Sequence, residues 1–471
     1  MPRKTKIVAT ISDLHCQPEF LTALHRAGMD VVRLNTAHMT HDSAMKVITA
    51  VRGISNKIAI LLDTKGPEIR TCDADQSLKV TYGDRVRIMG DPLGQCVGDI
   101  ICVSHKDFVR DIPVGSSVLI DDGDVALTVT DKDDAFLYCI VENDGVIQGK
   151  KSVNIPSVYV KLPALSQKDK SFIRFAADQN LDFIAHSFVR NKDDVLAVQK
   201  ILDEKQSPMK IIAKIENQEG VDHLDEILDV AYGVMIARGD LAVEIPAERI
   251  PLIQKKMIKT CIDRHCPVIV ATQMLHSMIH SPRPTRAEVS DVANACLDHA
   301  DALMLSGETA NGRYPLEAVQ TMARIAGEVE GDRVSFLDTP YLLKNKVTAY
   351  LAKSAVKASM RLNTRAIVAD SISGQTILAI AAYRGDNPIY AQLYDEQIMR
   401  VLALSFGVFP DFIERQDFNT DPIQNAIQGL VDEGKFEAGD LITVLAGHFG
   451  CDHGASYIEI STAESMIPRV C

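Results

Sequence analysis

Short apolar runs recur along the chain, separated by amphipathic stretches long enough for helices, and this alternation predicts a parallel sheet wrapped by helices. Eight runs form one set: Lys6–Ile11, Asp30–Leu34, Lys57–Leu62, Leu181–Ser187, Lys210–Glu216, Gly233–Gly239, Pro267–Gln273 and Ala302–Gly307. Most are continuously apolar, as strands covered on both faces require. Between them apolar residues fall at helical spacing, as in Leu252–Arg264, where Lys and Arg take the other face. Eight βα units in series predict a TIM (β/α)8 barrel.

Two regions break this rhythm. More than a hundred residues separate the third run from the fourth, and they read as short strands: Leu78–Thr81, Arg85–Met89, Ser117–Ile120, Val125–Thr130 and Ala135–Val141. Asp122-Gly123 and Asn143-Asp144-Gly145 are turn signals between them. After about Asp338, strand-like Ala366–Ala369, Pro388–Ala391 and Leu441–Leu445 alternate with helical Val347–Met360, Gln375–Tyr383 and Glu396–Phe406, the pattern of an open α/β sheet. The expected organisation is a barrel over residues 1–71 and 157–338, a β-rich insert over 72–156, and a smaller α/β domain over 339–471. An insert at the strands' C-terminal face has the position of a lid.

Charge and composition narrow the function. Fifty Lys and Arg against sixty-three Asp and Glu give a net charge of −13, which argues against a nucleic-acid or anionic-membrane surface. An anionic ligand would need a local basic pocket. No apolar run reaches the ~20 residues of a membrane span, and the N-terminus lacks an apolar signal core. The ten Cys form no C-x-x-C, so neither a zinc site nor a disulfide framework is expected, and the reading is a cytosolic enzyme with reduced thiols. Asp144–Ser152 resembles a phosphate-binding loop but is one residue short between its glycines and lies in the insert; no G-x-G-x-x-G or H-E-x-x-H occurs.

The chemistry gathers at strand ends. In Ile211-Ile-Ala-Lys-Ile-Glu-Asn217, Lys214 and Glu216 share one face of a strand, where the bland alternative is a solvated ion pair. Ile236-Ala-Arg-Gly-Asp240 brings Asp240 to the same rim, although Asp also serves as a helix N-cap. Two carboxylates suit a hard divalent cation whose remaining ligands are water and substrate oxygens. Arg33, Lys65 and Arg70, at the ends of neighbouring strands, are expected to form the basic pocket. Thr272 and Ser306 add hydroxyls that by themselves say little.

Leu62-Asp-Thr-Lys-Gly-Pro-Glu-Ile-Arg70, Lys214-Ile-Glu-Asn217, Ala237-Arg-Gly-Asp240, Ala271-Thr-Gln-Met274, Pro284-Thr-Arg-Ala-Glu288 and Met304-Leu-Ser-Gly-Glu-Thr-Ala310, in this order and spacing, resemble the pyruvate kinase family. The resemblance runs from Lys6 to about Ala318 and weakens beyond. It implies transfer of the phosphoryl group of phosphoenolpyruvate to ADP, giving pyruvate and ATP, in a cytoplasmic homotetramer. It implies Glu216 and Asp240 as ligands of Mg2+ (or Mn2+), and Lys214 as the cation facing the transferred phosphoryl group. Gly239, Asp240 and Thr272 would hold the substrate carboxylate and Arg33 its phosphate; Asn35, His38, Arg70 and Lys151 would meet the nucleotide; Asn35, Asp63 and the Thr64 carbonyl would bind K+. Thr272, through water and Ser306 or Glu308, is a candidate to orient the proton donor to the enolate. There are departures: Asn35-Thr-Ala-His38, whose Ala37 removes a K+-ligand hydroxyl, Thr10-Ile-Ser-Asp13, His186 and Ala242. Ser371–Thr376 resembles the family's effector-phosphate loop, whereas Gly447–Gly454 lacks the basic residue of sugar-bisphosphate-sensitive members. Two other readings stay open: a Mg2+-dependent aldolase or mutase of the phosphoenolpyruvate/pyruvate barrel group, and a catalytically silent binding member of the family.

Overall fold

A computed structural model describes the chain except residues 1, 157, 332–336, 338–344, 415–421, 448–453 and 468–471. The expected boundary at 338 and the body of the Gly447–Gly454 loop lie outside the described residues. All eight apolar runs are strands: β1 Lys6–Thr10, β2 Val31–Asn35, β3 Ala59–Asp63, β4 Phe183–His186, β5 Lys210–Ile215, β6 Gly233–Ala237, β7 Val268–Ala271 and β8 Ala302–Leu305. They close into a parallel barrel in sequence order, with β1 pairing both β2 and β8.

Strand parity sorts the side chains into two layers. Val8, Val31, Leu61, Phe183, Ala185, Ile212, Met235, Ile269 and Met304 pack inside the barrel. Their neighbours Ile7, Val32, Ile60, Ile184, Ile211, Ile236, Val270 and Leu303 pack outward under the helices. Val401, Ala403 and Leu404, from the C-terminal region, join the interior cluster. They do so beside two ion pairs, Arg400 Nε to Asp182 Oδ1 at 2.7 Å and Arg384 Nη2 to Asp301 Oδ2 at 2.6 Å. Asp182 and Asp301 precede β4 and β8, so the C-terminal region docks on the end of the barrel opposite the candidate chemistry.

The insert between β3 and β4 has its own core, including Ile88, Val103, Phe108, Leu127 and Leu137. Its main sheet runs in the order Val153–Asn154, Ser117–Ile120, Val125–Lys132, Leu137–Val141, Arg85–Gly90 and Ile100–Val103. Two details differ from expectation. Ile100–Val103 and Val153–Asn154 are strands of this sheet that the pattern did not single out, and Gly145 already belongs to a strand pairing with Leu78–Val80, which shortens the expected turn.

The C-terminal region is a five-stranded sheet of β9 Ile367–Ser371, β10 Ile389–Leu393, β11 Val408–Phe412, β12 Leu441–Ala446 and β13 Tyr457–Thr462, ordered β11-β10-β9-β12-β13. Of these five, β13 alone runs antiparallel. The pattern missed β11 and β13. Both are edge strands, and Pro410 within β11 is tolerated there because no further strand needs its missing N–H. No described helix is long and apolar enough to cross a membrane.

Candidate active site

At the C-terminal ends of β2 to β5 the inward parity continues but the residue type changes to polar. Val31 is followed two residues on by Arg33, Leu61 by Asp63, Ala185 by Ser187, and Ile212 by Lys214 and then Glu216. These five side chains form one buried network. Arg33 Nε and Nη2 both reach Asp63 Oδ2 at 2.6 Å, and its Nη1 donates to Thr10 Oγ1 at 3.0 Å. Lys214 Nζ lies 3.1 Å from Asp63 Oδ1, 3.0 Å from Glu216 Oε1 and 2.6 Å from Ser187 Oγ. The Phe188 amide donates to Glu216 Oε2 at 2.6 Å.

Asp240 follows β6 in the first turn of the helix Arg238–Glu244, inside the helix rather than at the N-cap, and its carboxyl lies within hydrogen-bonding reach of Glu216. The Gly239 amide donates to Thr272 Oγ1 at 2.7 Å, and that hydroxyl donates to the Ala271 carbonyl at 2.6 Å. Thr272 adopts the left-handed conformation at φ 69. Arg238 secures this turn, donating to the Thr272 carbonyl at 2.8 Å while paired with Asp291 at 2.7 Å. Glu308 is spent on scaffolding: its two oxygens accept from the Leu275 and Ser306 amides at 3.1 and 2.8 Å.

The electrostatics follow from burial. Burial alone raises the Asp63 carboxyl, but Arg33 and Lys214 outweigh it and hold the group below its usual range. Burial opposes the charge on Lys214, but Asp63 and Glu216 more than offset it and keep the ammonium protonated. Glu216 and Asp240 are both raised, first by burial; Lys214 pulls each back, while Asp240 and Asp63 push Glu216 further up. Two adjoining carboxyls, one buried and one half-buried, that share one lysine are short of positive charge, which is the environment a divalent cation relieves.

A cleft of about 540 Å3 opens over Glu216 and Asp240. Arg70 and Lys151, from the two chain segments joining insert to barrel, line its other wall. Arg33, Lys214, Thr272, Asn35 and His38 are not among its lining residues. His38 is exposed, and Asn35 Oδ1 accepts from the Ala37 amide at 3.1 Å. The cations expected at this rim each already have an acid. Arg33 is on Asp63, Lys65 and Arg70 share Glu68 at 3.8 and 2.6 Å, and Lys151 is 2.7 Å from Asp121. An anion entering the cleft must exchange with these carboxylates.

Sequence reasoning gave no role to Ser187, Arg238 or Glu244. Parity with Phe183 and Ala185 was the available signal for Ser187. The Thr64 carbonyl accepts from Ser187 Oγ at 2.7 Å, and the same hydroxyl lies 3.2 Å from Asp63 Oδ1, so it links two of the expected ligand groups. Glu244 lines the cleft, and burial pushes its carboxyl up to about 7.

His186 has the opposite parity to Ser187 and is buried outside the network, with burial lowering its pKa to about 4. A base held neutral by folding binds fewer protons than its unfolded form. Its contribution is therefore whole above about pH 6.5 and drains away as pH falls toward 4, by about 3 kcal/mol in all. His186→Gln is expected to flatten the acid limb of stability over that window. Urea midpoints by circular dichroism at several pH values check this, and parallel limbs for the two proteins would refute it.

An eight-stranded parallel barrel with a lysine and two carboxylates in its mouth, faced by basic residues of an inserted domain, defines a barrel enzyme of the TIM class. Residues 2–319 match the family described as pyruvate kinase, barrel domain, and residues 350–461 match pyruvate kinase, alpha/beta domain. A pyruvate kinase of Borreliella burgdorferi is 46% identical over 469 residues, covering 98% of each chain. One of Clostridium acetobutylicum is 41% identical, covering 94% of this chain and 96% of its own. The crystal structure of a pyruvate kinase from Cryptosporidium parvum superposes with a TM-score of 0.91 at 35% identity, covering 98% of this chain and 96% of that one. The chain belongs to the pyruvate kinase family and is a phosphotransferase.

Proposed function

We propose that the chain transfers the phosphoryl group of phosphoenolpyruvate to ADP in the cleft between barrel and insert, giving pyruvate and ATP. The observation that carries this reading is the contact of Lys214 with Glu216, and of Glu216 with Asp240, beneath a wall bearing Arg70 and Lys151. Glu216 and Asp240 fit Mg2+ (or Mn2+), because Glu216 is buried, Asp240 is half-buried beside it, and together they are short of positive charge. When bound, the ion neutralises phosphoryl and enolate oxygens. Lys214 offers its charge to the phosphoryl group in flight, and Arg33 turns a guanidinium N–H from Thr10 or Asp63 to the substrate phosphate. The Gly239 and Asp240 backbone and Thr272 receive the carboxylate. Arg70 and Lys151 take the nucleotide phosphates as the insert closes, with Asn35 and His38 meeting them from the barrel side. The proposed assembly is a homo-oligomer, a tetramer by family resemblance. Pyruvate release coupled to lactate dehydrogenase tests the reaction: formation dependent on both ADP and phosphoenolpyruvate is expected, and no ADP-dependent pyruvate release from phosphoenolpyruvate would overturn it and leave the aldolase, mutase and silent-member readings.

The K+ site is proposed at Asn35, Asp63 and the Thr64 carbonyl, which offer three oxygens from the adjoining ends of β2 and β3, while Ala37 offers none from its side chain. A water in place of that hydroxyl restores a ligand at modest entropic cost. Activation by K+ with weak apparent affinity is expected, strengthened by Ala37→Ser and weakened by Glu68→Lys. Initial rates against KCl, with a tetramethylammonium salt fixing ionic strength, measure it. A flat response would remove the site from this chain.

A further inference from the structure

The insert holds a second chemical cluster that the proposed reaction leaves unused. Cys72, Cys96 and Cys102 converge where the insert leaves the barrel. Thr71 and Val103 form an antiparallel bridge, which sets Cys72 opposite Cys102, and the Cys72 amide donates to the Cys102 carbonyl at 2.8 Å. Residues so paired have Cα atoms about 5.5 Å apart and side chains on one face, inside the roughly 4.4–6.8 Å that a disulfide spans. Both thiols turn to the same loop, Cys72 Sγ donating to the Asp91 carbonyl at 3.2 Å and Cys102 Sγ to the Gln95 carbonyl at 3.0 Å. Cys96 Sγ sits behind the pair, 3.7 and 3.5 Å from the Cys72 and Cys102 carbonyls. Among the described residues no three His, Cys, Asp or Glu side chains are arranged to hold a metal ion, so redox chemistry fits this cluster better than metal binding.

We infer that Cys72 and Cys102 form a dithiol redox site in the insert, oxidised reversibly to a disulfide by a small-molecule disulfide. The step is two exchanges. One thiolate attacks and expels a small thiol, then the second thiolate attacks the mixed disulfide and expels the other. One S–S bond forms as one breaks, and two electrons and two protons pass from the protein to the small thiols. Burial pushes Cys72 up to about 11 and raises Cys102, so the reaction is slow at neutral pH and quickens as pH rises.

The pair sits immediately beyond the two chain segments that join insert to barrel. Arg70 bridges Ser152, and the Lys151 amide donates to Thr71 Oγ1 at 2.9 Å, so both nucleotide-facing cations hang on the strand that the disulfide would fix. The consequence for catalysis rests on the proposed function. A fixed strand reduces the ordering that nucleotide binding demands, so oxidation lowers the KM for ADP about two-fold or more while leaving that for phosphoenolpyruvate unchanged.

The test is incubation of the full chain with oxidised glutathione at alkaline pH, alkylation, and peptide mapping by mass spectrometry, with both KM values measured before and after. The expected result is a Cys72–Cys102 peptide, a lower KM for ADP alone, and reversal by dithiothreitol. Cys72→Ser and Cys102→Ser should each keep the reduced enzyme's kinetics and lose both responses. Persistent free thiols, or a disulfide involving Cys96 or another cysteine, overturn the site. A mapped Cys72–Cys102 bond with an unchanged KM for ADP overturns its link to the nucleotide. A reduced enzyme without any turnover refutes the pyruvate kinase reading instead, and the mapping still decides the redox site.

Discussion

Lys214→Met is expected to lower kcat by ~10²–10³-fold in a protein that still folds. The ammonium contacts both Asp63 and Glu216. Its removal takes away the charge proposed to face the phosphoryl while leaving Asp63 neutralised by Arg33. Glu216, already raised by burial, accommodates the loss by taking a proton. Met keeps the length and apolar stem of the side chain, so the barrel interior is not emptied. The checks are steady-state kcat together with an unchanged circular dichroism spectrum. Near-wild-type turnover in the folded variant would make Lys214 a structural ion-pair residue.

The second large effect is expected at the proposed metal site. Glu216→Gln keeps the shape and the Phe188 amide contact but removes a full negative charge from a two-carboxylate site. Apparent Mg2+ affinity and kcat/KM are expected to fall by ~10²-fold or more, since each carboxylate would be a direct ligand at the proposed site and even indirect partners of a metal cost about 10–100-fold. The pH dependence gives an independent readout. A carboxyl with a raised pKa, here about 7, is progressively protonated as pH drops, so protons compete with Mg2+ and wild-type affinity weakens from about pH 8 to about pH 6. The carboxamide of the Glu216→Gln variant cannot titrate, and most of that slope should vanish, leaving the part due to Asp240. Mg2+ titrations of initial rate at several pH values measure both effects, and an unchanged slope would place the metal elsewhere.

Much of this site was legible in the chain, for a physical reason. A strand alternates its side chains, so a polar residue two places beyond an inward-facing apolar one must also face inward. Leu61 to Asp63 and Ile212 to Lys214 to Glu216 could therefore be read onto one face before any coordinates existed. The edge strands were harder. Val408–Phe412 contains a proline, and Tyr457–Thr462 carries polar residues because one of its sides has no neighbour.

The sequence by itself determined which residues stand at the barrel mouth, because parity and βα order are local and repeat eight times. Only the tertiary structure decided their partners. Arg33, Lys65 and Arg70 read as a basic pocket, yet each meets an acid, two of them through the shared Glu68. Such pairings depend on the stagger of closed strands and on where an insert folds back. Those relations join residues far apart in the chain, as Asp63 and Lys214 are, and no local period encodes them. The same holds for the raised carboxyls of Glu216 and Asp240 and for the thiols brought together at Cys72 and Cys102. Burial and proximity set their chemistry, and both come into being when the chain closes on itself.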